Sequence, residues 1–111
     1  MTYEDAIAAL ADPSRRALIE RLRAGPMAVQ ALAQDLPISR PAVSQHLKIL
    51  SDAGLLLVEA RGTRRLYRLA PDGLADLRAY LDGLWSDALN AFTARAQEIA
   101  QQETARTKRD G

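Results

Sequence analysis

The chain has 111 residues, 48% of them hydrophobic, enough for one compact core and too few for two ordinary domains. It holds no cysteine, which excludes a disulfide framework and a thiolate metal site, and it shows neither a secretory start nor an apolar run of the roughly 18 residues that a membrane span needs, so a cytoplasmic protein with no membrane partner is expected. The net charge of +1 hides a local excess: residues 39–69 carry Arg40, Lys48, Arg61, Arg64, Arg65 and Arg68 against Asp52 and Glu59, a net +4 that suits a polyanion and leaves −3 for the rest.

In chain order, YEDAIAAL offers Ile7 and Leu10 for a short first helix. A second helix follows in ADPSRRALIERLRAGP. Asp12 is its cap, Pro13 fits the first helical position because no helical partner awaits its missing N–H, and Leu18, Ile19 and Leu22 form an apolar stripe that Gly25 and Pro26 end. MAVQALAQDLP places Val29, Leu32, Ala33 and Leu36 at helical offsets and predicts a third helix closed by Pro37. The fourth has Ser39 as cap and Pro41 in its first turn, with Val43, Leu47 and Leu50 on the core side and Gly54 at the end.

Beyond Gly54 the period changes. LLLVEARGTRRLYRLA is rich in Leu and Val, breaks at RGT and alternates afterwards, which predicts a β-hairpin with its tip near Gly62. A long helix then starts at Pro71 and keeps Leu74, Leu77, Leu81, Leu84, Trp85, Ala88, Leu89 and Phe92 on one broad face. ETARTKRDG has no apolar period and is expected to fray. One domain over residues 1–102, followed by a flexible tail at 103–111, is therefore expected.

Two short helices joined by a tight turn and followed by a two-stranded arm are the element order of a winged helix-turn-helix, whose second helix enters the major groove by its N-terminal half. With Val43, Leu47 and Leu50 inward, Arg40, Pro41, Ser44, Gln45 and Lys48 face outward. Arg bonds guanine O6 and N7 together, Gln bonds adenine N6 and N7, and Ser serves base or phosphate. Arg61, Thr63, Arg64 and Arg65, around Gly62, suit a phosphate row or a minor groove. Hairpin tips also carry charge for solubility alone, which is the competing reading of that stretch.

The stretches ALADPSRRALIERL, ALAQDLPISRPAVSQHLKILSDAGLL and RGTRRLYRLAPDGL together resemble the ArsR-type winged-helix repressors over roughly residues 4 to 85. The resemblance implies a mainly α fold with a small β-hairpin. It also implies a homodimer joined through the first and last helices, binding a pseudo-palindromic operator in double-stranded DNA and repressing its own promoter. LRAYLDGLW after the arm is similar to a subgroup distinct from the metal sensors. Those sensors use cysteine pairs before the recognition helix, or Asp and His on the last helix; here VQALAQDL has no Cys, and Asp72, Asp76, Asp82 and Asp87 have no His beside them. No metal or other cofactor is expected, and a metal-responsive repressor is the weaker alternative. Whether a small-molecule inducer relieves binding is left open.

The long last helix presents more apolar surface than a monomer covers, so Leu77, Leu81, Leu84, Trp85 and Ala88, with Ile7 and Leu10 of the first helix, are the candidate dimer interface. His46, the sole histidine, is expected to pack at the edge of the helix pair and bond a neighbouring backbone group, with a DNA contact as the alternative. Arg15 and Arg16 suit either phosphates or an ion pair with a carboxylate such as Glu20. An enzyme is not expected, because no glycine-rich phosphate loop follows a strand and the one histidine sits in the basic helix. A winged-helix module that binds a protein instead of DNA is the more serious rival, and the absence of acidic residues between Arg40 and Lys48 argues against it.

Overall fold

Two of the helices open on a side chain that caps them. The computed structural model describes residues 3–110, with side chains through residue 107. Helix α1 (Tyr3–Leu10) buries only Ala6 and Ala9, and leaves Ile7 42% exposed. Helix α2 (Pro13–Leu22) opens as expected: the Asp12 carboxylate accepts from the Ser14 and Arg15 amides at 2.7 and 3.2 Å, with Pro13 in the first turn. Gly25, at φ 136, turns the chain out of it.

Two expectations for the next stretch are corrected. Met27 and Ala28 form a short strand, β1 (Met27–Ala28), instead of heading a helix, and helix α3 (Val29–Ala33) ends well before Pro37. The cause of the early stop is backbone geometry: Gln34 is extended and Asp35 takes a left-handed φ of 63, a conformation that Asp tolerates better than most residues. That reversal carries Leu36 and Ile38 onto the core.

Helix α4 (Arg40–Asp52) begins with the Ser39 hydroxyl accepting from the Ala42 amide at 3.3 Å, and Val43, Leu47 and Leu50 are fully buried along its inner side. It ends in a Schellman motif. Gly54 is left-handed at φ 82, its amide donates to Ser51, and the Leu55 amide donates back to Leu50, both at 3.0 Å. Leu50 and Leu55, the pair such a motif brings together, are both fully buried.

The expected hairpin is present as β2 (Leu56–Arg61) and β3 (Arg64–Leu69), antiparallel from Leu56 opposite Leu69 to Arg61 opposite Arg64. Its turn is Gly62 and Thr63, with Gly62 at φ 63, the left-handed φ that a two-residue hairpin turn needs at its first position. The sheet has a third member. Strand β1 pairs with β3 through Met27 opposite Tyr67 and Ala28 opposite Leu66, giving the order β1-β3-β2, so the arm is anchored on both sides of its inner strand.

Helix α5 (Pro71–Asp110) closes the chain. Its first turn lies so close to the α4–β2 turn that a Cβ on Gly73 would overlap the Gly54 carbonyl. The helix continues through residues 103–110 without a break at the boundary expected after 102, and residue 111 of that expected tail lies outside the described residues. The chain divides into two units, one ending at Arg78 and the other beginning at Ala79. The first holds the core, with Leu18, Leu32, Val43, Leu47, Leu50 and Leu55 fully buried. The second is the remainder of α5, exposed at every residue from Leu81 to Thr107. Among the described residues no helix is long and apolar enough to cross a membrane.

Candidate nucleic-acid interface

Burial of Val43, Leu47 and Leu50 fixes which side of α4 faces water. Arg40, Pro41, Ser44, Gln45 and Lys48 are all exposed on that side, as their spacing predicts, and Ile49 joins them at 39% exposure. From Arg40 to Lys48 the rise is about 12 Å, the reach of a helix end across a few base pairs. The face holds no carboxylate until Asp52, which pairs with Lys48 at 3.1 Å.

At the arm, Arg61, Thr63, Arg64 and Arg65 are exposed around Gly62. Glu59 faces two of the arm's cations, at 3.4 Å from Arg61 and 3.7 Å from Arg68. Arg61 is well exposed, so its pair is weak and yields readily to a phosphate, whereas Glu59 and Arg68 are half-buried. Arg40, Arg64 and Arg65 make no ion pair among the described residues, so the uncompensated charge of the +4 stretch sits at the start of α4 and at the hairpin tip.

Arg15 makes the ion pair that the sequence suggested with Asp12, at 3.9 Å, rather than with Glu20, and the arginines of α2 also serve a purpose that the sequence did not suggest. Helix α1 has no basic residue in its last turn to satisfy its terminal carbonyls. Arg15 donates to the Ala9 carbonyl at 2.5 Å, and Arg16 donates to those of Leu10 and Ala11 at 2.8 and 2.9 Å. Arg21 does the same for α3, donating to the Leu32 carbonyl at 3.3 Å and to that of Gln34. Each cation thus caps a neighbouring helix C-terminus, where the helix dipole favours it. Glu20 pairs with Arg23 at 3.0 Å instead. The only sequence signal for this role was the missing base at the end of the first helix.

Arg15 also reaches the recognition helix. Its guanidinium lies 3.4 Å from His46 Nδ1, so half-buried His46 faces a side chain and not the backbone group expected. An arginine has no acceptor, so a hydrogen bond in this contact requires Nδ1 to accept. The hydrogen bond from the Arg15 amide, opposed by burial and assisted by the Ser14 amide and the Arg15 charge, holds the Asp12 carboxyl below its ordinary 3.8. A carboxyl lowered by folding stabilises the fold above its unfolded value, and that stability is lost as pH falls through the lowered native value. Asp12→Asn keeps a capping oxygen and removes the charge. Urea midpoints of the two proteins are therefore expected to differ most at neutral pH and to converge on acidification.

Among the described residues no group of three His, Asp or Glu side chains is placed to hold a metal ion. Arg40, Pro41, Ser44, Gln45 and Lys48 share one exposed helix face, and Arg61, Thr63, Arg64 and Arg65 surround one hairpin tip. Of the candidate dimer residues, Ile7, Leu81, Leu84, Trp85 and Ala88 are exposed, Leu77 is half-buried, and Leu10 packs partly against its own core.

A capped helix with a polar outer face, braced by a preceding short helix and followed by a basic hairpin, defines the winged helix-turn-helix class of transcriptional regulators. A family model described as a helix-turn-helix domain matches residues 10–59. The chain is 58% identical over 84 residues to the HTH-type transcriptional regulator Rv2034 of Mycobacterium tuberculosis, covering 76% of this chain and 78% of that protein. A crystal structure described as a possible transcriptional regulator for arsenical resistance is similar at a TM-score of 0.68 and 44% identity, covering 81% of this chain and 94% of that one. A solution structure from Mycobacterium bovis, described as a homodimeric winged helix-turn-helix DNA-binding domain of a possible ArsR-family regulator, is similar at a TM-score of 0.60 and 28% identity, covering 76% and 78%. The chain belongs to the ArsR-type family of winged-helix transcriptional regulators.

Proposed function

We propose that the chain is a homodimeric repressor that binds a pseudo-palindromic DNA operator, placing α4 in the major groove and the hairpin tip against phosphates or in a minor groove. The observation that carries this reading is the exposed, acid-free face of α4 from Arg40 to Lys48, set rigidly by the Ser39 cap and three fully buried side chains. Arg40, Pro41, Ser44 and Gln45 read bases, and Lys48, Arg61, Thr63, Arg64 and Arg65 fix position on the backbone. Ile7, Leu10, Leu77, Leu81, Leu84, Trp85 and Ala88 contribute to the surface shared with the second copy. Residues 1–102 carry both tasks, and 103–111 are an appended tail. The protein works by binding, not catalysis, in the cytoplasm where its DNA lies. Symmetry then puts the two recognition helices about 34 Å apart, one turn of the duplex.

Binding that rests on phosphates weakens linearly in log–log form as salt rises. Arg64→Ala and Arg65→Ala are each expected to reduce that slope by about one and to weaken binding evenly across sequences. Fluorescence anisotropy at several salt concentrations measures it. A salt-independent affinity would instead support a module that binds a protein partner.

A further inference from the structure

Arg15 joins three helices at one point. Its Nε donates to the Ala9 carbonyl at 2.5 Å and its Nη2 to that of Ala8 at 3.5 Å, both in the last turn of α1. Its Nη1 lies 3.9 Å from the Asp12 carboxylate that caps α2 and 3.4 Å from His46 Nδ1 on α4. The side chain is only 16% exposed, so these contacts hold it in place. Burial of Val43, Leu47 and Leu50 fixes which side of α4 faces the core, but apolar contact is non-directional. Base readout depends on hydrogen bonds that weaken steeply as their angles degrade. A directional contact from a fixed group sets the rotation of α4 more finely than the buried stripe does.

We infer that Arg15 is a positioning residue for base readout, seating α4 against the end of α1 through neutral His46, and that a proton on His46 undoes the seating. The inference rests on the DNA-binding reading. Histidine is the side chain whose charge ordinarily changes between about pH 5 and 8, whereas arginine stays charged throughout. Protonation turns Nδ1 from an acceptor into a donor and sets two cations face to face. Arg15 is gripped by α1, so His46 and the helix that carries it give way. Asp12 faces the pair from the start of α2, and its single charge, already engaged by the Ser14 and Arg15 amides, offsets one of the two cations. Asp5 of α1 and Asp52 of α4 line a cavity beside Arg15 rather than beside His46, and Asp52 pairs with Lys48 on its own helix.

A proton on His46 also adds a charge that attracts any duplex. The quantity to measure is therefore the ratio of affinities for the duplex preferred at pH 7.5 and for an unrelated one, at fixed salt, in which that attraction cancels. Between about pH 7.5 and 5.5 this ratio is expected to fall about 2- to 10-fold for the unaltered chain, the range that one lost hydrogen bond spans. His46→Gln keeps an acceptor and takes no proton, and its ratio is expected to stay level. Arg15→Lys keeps the charge but lacks the fork that grips the α1 carbonyls, so its ratio is expected to start lower and to change less with pH. Circular dichroism in the same buffers follows the fold. A ratio that does not change with pH in the unaltered chain overturns the inference and leaves the functional reading standing. A fall that persists undiminished in either variant does the same, as does one that tracks loss of helical signal. Absence of any preferred duplex at every pH overturns both.

Discussion

Arg40→Ala and Gln45→Ala are each expected to weaken binding to the preferred duplex by about 5- to 150-fold, the equivalent of the roughly 1–3 kcal/mol that a bidentate base contact supplies. Both side chains stand on the exposed face of α4, and neither packs in the core, so their loss leaves folding intact. Affinity for unrelated duplex is expected to fall less, because that binding depends on phosphates. The check is anisotropy against the preferred site and against variants of it. A residue that reads one base loses discrimination at that base alone, whereas a residue that only touches phosphate weakens all sites alike.

Leu47→Ala is expected to destabilise the protein by about 2–5 kcal/mol, the cost of removing a buried leucine and leaving a cavity. Leu47 is fully buried midway along α4, between Val43 and Leu50. This is a large part of the stability of a domain of this size. Equilibrium urea unfolding measures the loss, and a change well under 1 kcal/mol would mean that α4 is not held by this stripe. The same variant distinguishes support from contact, since it touches no exposed position of the face yet loosens the helix that presents all of them.

Helix α4 was legible because every local signal agreed: Ser39 as cap, Pro41 in the first turn, a buried stripe at helical spacing and Gly54 at the end. The hairpin was legible for the same reason, with Gly62 between two alternating runs. What escaped depended on distant partners or on local backbone conformations without an apolar period. Strand β1 is two residues long, too short for any period, and exists because β3 lies some forty residues later in the chain to pair with it. Helix α3 stops early because Asp35 reverses the chain in a conformation that composition does not announce. The helix past residue 102 needs only helix-forming residues, not an apolar stripe, so the lack of a stripe in that segment carried no information about its backbone. The capping by Arg15, Arg16 and Arg21 joins side chains of one helix to carbonyls of another, and the missing base at the end of α1 does not say which distant side chain supplies it.

Selection of bound duplexes from a random pool, followed by sequencing, tests the central claim most directly, since it presumes no promoter. The outer face of α4 and a two-fold dimer together predict enrichment of one inverted repeat whose half-site centres lie roughly 10 base pairs apart. The same selection with the Gln45→Ala protein is expected to relax the repeat at one position in each half. A pool that remains random after repeated selection, from protein that is folded and dimeric, would contradict the assignment of this face to sequence-specific DNA binding.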